Sequence, residues 1–76
     1  MKIEVLGTGC AKCNKLFDAV KEAAERAGVD AEIVKVRDLM EIMKRGATIT
    51  PALTVDGVIK AAGKVPKIDE LVEMLS

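Results

Sequence analysis

The hydrophobic period of residues 2–36 changes twice, and that change leaves few topologies open. Lys2 to Leu6 alternates, with Ile3, Val5 and Leu6 as apolar members, so it reads as a strand closed by the turn Gly7-Thr8-Gly9. Cys13, Leu16, Phe17, Val20, Ala24 and Ala27 then recur at steps of three and four, the apolar stripe of a helix that runs to about Ala27. Gly28 follows where a left-handed residue past the helix end is wanted. Ala31 to Val36 returns to strand, rich in β-branched Ile33, Val34 and Val36. A strand-helix-strand unit forces two parallel strands joined by a right-handed crossover.

The second half has its own punctuation. Asp38 stands as an N-cap before Leu39-Met40, with Glu41 three residues on as its acidic companion, and Gly46 ends this second helix. After Thr48-Ile49-Thr50-Pro51 come two short strands, Ala52 to Val55 and Val58 to Ala61. Asp56-Gly57 joins them, a pair suited to a tight two-residue turn. Pro66 suits the first turn of a last helix whose stripe is Ile68, Leu71, Val72 and Leu75. The predicted order is βαβαββα, an α/β chain with a mixed four-stranded sheet covered by helices. Without internal repeats or linkers, residues 1–76 read as one domain.

Composition narrows the chemistry. Twelve basic and 12 acidic residues cancel, and no basic run stands beside aromatic rings, which argues against a nucleic-acid surface. The chain has no histidine, so a His-based triad or His-ligated zinc is impossible and any catalysis falls to Cys, Lys, Asp or Glu. No apolar run reaches the length of a signal h-region or the ~20 residues of a membrane span, so a cytoplasmic protein without a membrane partner is expected. In a reducing compartment, two cysteines three positions apart make a poor structural staple. Cys10 and Cys13 are therefore expected to do chemistry.

Cys10 falls at the start of the first helix, where unpaired N–H groups and the helix dipole favour the thiolate and make it a nucleophile at neutral pH. Cys13 lies one turn on, on the apolar stripe, and is expected to be the more buried of the two. Such a pair suits dithiol exchange: Cys10 attacks a substrate disulfide, and Cys13 displaces the reduced product from the mixed disulfide. The bland alternative makes Cys13 a small core residue and Cys10 a loop thiol. Against it stands the coincidence of spacing, helix start and strand-helix-strand pattern. Lys12, between the cysteines, would add positive charge beside the thiolate, although a solvated lysine is the commoner state.

Three features, Cys10-Ala11-Lys12-Cys13 after the first strand, Thr50-Pro51 before the hairpin and Gly63 ahead of the last helix, resemble the thioredoxin superfamily. More closely, the whole chain resembles its minimal, glutaredoxin-sized thioredoxins of the redox-active disulfide protein 2 type. The resemblance implies a thioredoxin-like fold and a thiol-disulfide oxidoreductase needing no cofactor beyond its own dithiol. It further implies a monomer, partnered by a thioredoxin-reductase-like flavoprotein and by target protein disulfides. By similarity Pro51 is cis and faces the dithiol, and the Thr50 backbone pairs with the bound substrate strand. The motif departs from the family in carrying Gly9 where thioredoxins have tryptophan, and Ala11-Lys12 where they have Gly-Pro. Dithiol potentials in such folds span roughly −270 to −120 mV, and with no histidine or proline between the cysteines the reducing end is expected.

The family's buried carboxylate, six residues before the first cysteine, falls on Glu4. Alternation puts Glu4 with Lys2 and Leu6, so it lies either under Cys13 or in solvent. The solvated position is expected, because an unpaired buried carboxylate is costly. If buried, its pKa should be raised, making it a proton acceptor. Gly7 to Cys13 is also similar to heavy-metal-associated domains, whose paired thiolates hold Cu(I). Against that reading, Thr8 occupies their usual methionine position and the chain ends in a helical stripe rather than a strand. Met40, Met43 and Met74 are expected as core filler. Within the redox reading, Lys12, Lys15 and Lys64 would serve a glutathione carboxylate, but with no aromatic in the motif a protein reductase is preferred.

Overall fold

The computed structural model describes residues 1–8 and 11–75. Its elements are β1 (Lys2–Leu6), α1 (Ala11–Ala27), β2 (Glu32–Val36), α2 (Leu39–Lys44), β3 (Ala52–Val55), β4 (Val58–Ala62) and α3 (Ile68–Leu75). The sheet order is β2-β1-β3-β4, with β1 and β2 parallel and the other two pairings antiparallel. This is the mixed four-stranded α/β architecture expected of a thioredoxin-like fold.

Side-chain alternation divides the sheet into two faces. Ile3 and Val5 of β1, opposite Val55 and Leu53 of β3, point to the face covered by α1 and α3. There they pack with Leu16, Val20, Ala23, Leu71 and Leu75 in the larger core cluster. Leu6 and Ala52, paired in register, point the other way and join Ile42 of α2 and Ala47 in a smaller one. The 17-residue α1 and the eight-residue α3 thus share one face, and the six-residue α2 holds the other.

The turn chemistry works as its residues require. Asp56 (φ 50°) and Gly57 (φ 86°) both take the left-handed conformation of a tight hairpin turn. Asp38 caps α2, its carboxylate accepting from the Met40 N–H at 2.9 Å. Three expectations need correcting. Glu41 does not serve that cap: its carboxylate turns toward Arg45 (3.0 Å) and Lys44 (3.5 Å) at the other end of α2. Pro66 sits ahead of α3, not in its first turn, because the Leu71 N–H donates to the Lys67 carbonyl (3.0 Å) and the helix begins at Ile68. Met40 and Met43 are not core filler but stand 66% and 63% exposed, since a helix of fewer than two turns covers the sheet through Ile42 alone. Met74 packs against the larger cluster, as does Phe17, with the Lys35 ammonium 4.6 Å from its ring centroid.

Candidate functional site

β1 leads its chain directly to the site. Gly7 continues from the strand, its N–H bonded to the Val36 carbonyl at 3.0 Å, and Cys13 packs against it from α1. A Cβ on Gly7 would collide with Cys13 Sγ and lie 3.0 Å from Cys13 Cβ, so the missing side chain is what makes room for the sulfur. Cys13 is buried, as the stripe predicted. Cys10 and Gly9 lie outside the described residues, and α1 is described from Ala11 onward. Lys12, in its first turn, is exposed.

The β1–β3 register places the second part of the site beside the first. Leu6 pairs with Ala52 across antiparallel strands, so Gly7 and Pro51, one step beyond each, meet at the same end of the sheet. The Thr50–Pro51 peptide bond is cis, the isomer the resemblance implied. Pro51 is buried while Thr50 is exposed. Gly63 (φ 77°) donates its N–H to the Pro51 carbonyl at 2.8 Å, tying the end of β4 to the same corner. A side chain there would also come within 2.8 Å of Ile49 Cγ2. Next to Thr50 opens a groove of about 370 Å³, lined by Leu39, Ile42, Met43, Gly46, Ala47 and Thr48. With Ile49 exposed beside it, the surface leading to Thr50–Pro51 is aliphatic.

Glu4 overturns its expectation twice. It is buried, 8% exposed, and it lies on the α2 face of the sheet with Leu6. Its Oε2 accepts from Arg45 Nε (2.9 Å) and pairs with Arg45 Nη2 (2.8 Å), while Oε1 accepts from Thr54 Oγ1 (3.2 Å). Its pKa is lowered, not raised. The Arg45 hydrogen bond is the largest cause and outweighs desolvation, with further help from the Arg45 charge, Thr54 and the Lys2 charge. Burial of this carboxylate is tolerable because it is paired, which reasoning from an isolated glutamate could not anticipate. Arg45, placed 41 residues away in sequence, is the site residue that sequence reasoning missed. Gly7, read only as a turn residue, is the other.

This pairing has a pH signature. Because Glu4's folded pKa lies below the ordinary carboxylate value, its contribution to stability is present above that ordinary value and is lost as pH falls through the folded one. Among the described residues, Arg45 at the C-cap of α2, Glu41 within that helix, Thr54 of β3 and Lys2 of β1 are polar and charged groups around it. The urea midpoint should fall when pH drops from 6 to 3, and Glu4→Gln should flatten that part of the profile. An unchanged slope in the variant would assign the acid loss to other carboxylates.

The comparisons with known proteins agree with this geometry. The family model described as thioredoxin domain matches residues 1–76. The chain belongs to the thioredoxin family. A thioredoxin of Methanocaldococcus jannaschii is 47% identical over 73 residues, which cover 96% of this chain and 84% of that protein. A thioredoxin of Methanothermobacter thermautotrophicus is 41% identical over 76 residues, all of this chain and 99% of its own length. Membership in the thioredoxin family supports a thioredoxin-like redox function. No helix among the described residues is long and apolar enough to cross a membrane.

Proposed function

We propose that the chain is a protein thiol-disulfide oxidoreductase, one domain over residues 1–76, that carries two electrons through a reversible Cys10–Cys13 disulfide. The observation that carries this reading is the packing of Cys13 Sγ into the space left by Gly7, at the sheet end where register also brings Pro51. The Cys10 thiolate attacks one sulfur of a target disulfide, forming a mixed disulfide and releasing the target's other sulfur as a thiol. Cys13, deprotonated, then attacks Cys10 Sγ, so the target leaves as a dithiol and the protein is oxidised. A reductase of the thioredoxin-reductase-like flavoprotein class returns the two electrons. Lys12 adds positive charge beside the thiolate, Glu4, held by Arg45 and Thr54, is not the proton acceptor, and no cofactor beyond the dithiol takes part.

The target's chain docks beside the Thr50 backbone and along the aliphatic surface of Leu39, Met43 and Ile49, which replaces the ring that Gly9 lacks. The protein works as a monomer in the cytoplasm. The observed order ends in α3, not in a strand, which speaks against the Cu(I)-chaperone reading of the same cysteines.

The test is a trap. Cys13→Ser should accumulate a covalent adduct with a protein disulfide through Cys10, visible by non-reducing electrophoresis and dissolved by dithiothreitol. No adduct from Cys13→Ser, or one of equal yield from Cys10→Ser, would refute the role assignment. Stoichiometric Cu(I) uptake without disulfide reduction would move the chain to the chaperone reading.

A further inference from the structure

α2 is held to the sheet by little apolar surface. Of its six residues only Ile42 is buried, Leu39, Met40 and Met43 are exposed, and among the described residues the cluster beneath consists of Leu6, Ala47 and Ala52, with Val36 packed against it. The polar attachment is denser. Arg45, the C-cap of α2, donates through Nε to Glu4 and pairs with it again through Nη2. Its Nη1 donates to the Glu41 carbonyl (2.9 Å) and carboxylate (3.0 Å). Thr54 holds the other oxygen of Glu4, so one guanidinium connects α2 to β1 and, through Glu4, to β3. Five residues separate Arg45 from Pro51. Between them the Gly46 N–H donates to the Met43 carbonyl (2.9 Å) and the Ala47 N–H to that of Ile42 (3.3 Å), so the seat of α2 sets where this segment starts.

We propose that Arg45 is a positioning residue for dithiol exchange: clamped on buried Glu4, it seats α2 and so places the 46–51 segment that presents Thr50–Pro51 beside Gly7 and Cys13. The proposal rests on the oxidoreductase reading for its functional consequence and on the clamp geometry for its structural one. Glu4 then acts as the anchor of the docking side, through an anion whose two oxygens are already engaged. A geometry-sensitive docking surface is where such a clamp should be felt, because displacing a positioned element by a fraction of its contact distance lowers the rate without altering the reacting groups.

Arg45→Met should be compared with wild type and Arg45→Lys on two probes, insulin as a protein disulfide and hydroxyethyl disulfide as one too small to use the Thr50 surface. Arg45→Met is expected to raise KM for insulin about tenfold or more while the rate on hydroxyethyl disulfide stays within about twofold. Arg45→Lys, which keeps a charge for Glu4 but cannot also span to Glu41, should fall between. In the same variants the Gly46 and Ala47 amides should lose at least about tenfold of their hydrogen-exchange protection, with β1 amides unchanged. Wild-type insulin KM in Arg45→Met would overturn the proposal, as would equal losses on both disulfides. Failure of the wild type to reduce either probe would instead refute the oxidoreductase reading, and the exchange measurement would still judge the clamp. If Arg45→Met does not fold, Arg45→Lys supplies the same comparison.

Discussion

Replacing Leu53 with alanine is expected to lower the unfolding free energy by about 2–5 kcal/mol. Leu53 is fully buried on β3, a central strand between β1 and β4, and belongs to the cluster that joins both long helices to the sheet. The loss combines the transfer free energy of the removed methyl and methylene groups with a cavity that rigid strand neighbours cannot close. A chain of 76 residues has roughly 4–11 kcal/mol of stability in total, so this one change removes a large part of it. Urea unfolding should show the lowered midpoint. Met40→Ala and Met43→Ala, on the exposed face of α2, should stay within about 0.5 kcal/mol of wild type. A Leu53→Ala midpoint equal to those of the two methionine variants would mean that the core does not lie where its burial places it.

At Gly7, alanine should destabilise the fold by about 1–3 kcal/mol and slow disulfide exchange. Two effects oppose each other. Alanine restricts the unfolded chain and would by itself stabilise by about 0.4–1 kcal/mol wherever the native backbone accepts it. The new Cβ, however, would collide with Cys13 Sγ and lie 3.0 Å from Cys13 Cβ, and Cys13 is held in the packed first turns of α1. Overpacking wins because a one-bond side chain has little room to rotate away, so the start of α1 must shift. Cys13→Ala in the Gly7→Ala background should recover part of the stability, and the double-mutant cycle should give a coupling of about 0.5 kcal/mol or more. Additive effects would show that the two residues do not touch. The exchange rate tests the same contact, since on the proposed mechanism displacement of α1 moves the sulfur that resolves the mixed disulfide.

Which parts of this were legible in the sequence follows from which physics is local. The βαβ start, the left-handed Gly28 and the Asp56-Gly57 turn depend on period and backbone sterics over a few residues, and each stands where it was expected. The burial of Cys13 followed from the same stripe. Alternation also put Glu4 and Leu6 on one face, but phase alone does not say what covers that face. α2 covers it, and only at Ile42, which is why the pattern that read Met40 and Met43 as core filler failed on a helix of six residues. Phe17 and Ala27, at the margins of the α1 stripe, are half-buried where its middle is sealed.

By itself, then, the sequence determined the order of the elements, the parallel pairing of β1 with β2 and the place of Cys13 in the first turn of a helix. Hydrophobic period, chirality and turn chemistry act within a single segment or between neighbours, and suffice for these. Tertiary structure alone decided that Gly7 is the space Cys13 occupies, a consequence of how α1 packs on the end of β1, and that Pro51 stands beside Gly7, a consequence of strand register. It decided as well that Glu4 is buried yet held as an anion. Whether a buried carboxylate is costly or stable depends on its partner, and the partner, Arg45, comes from across the fold.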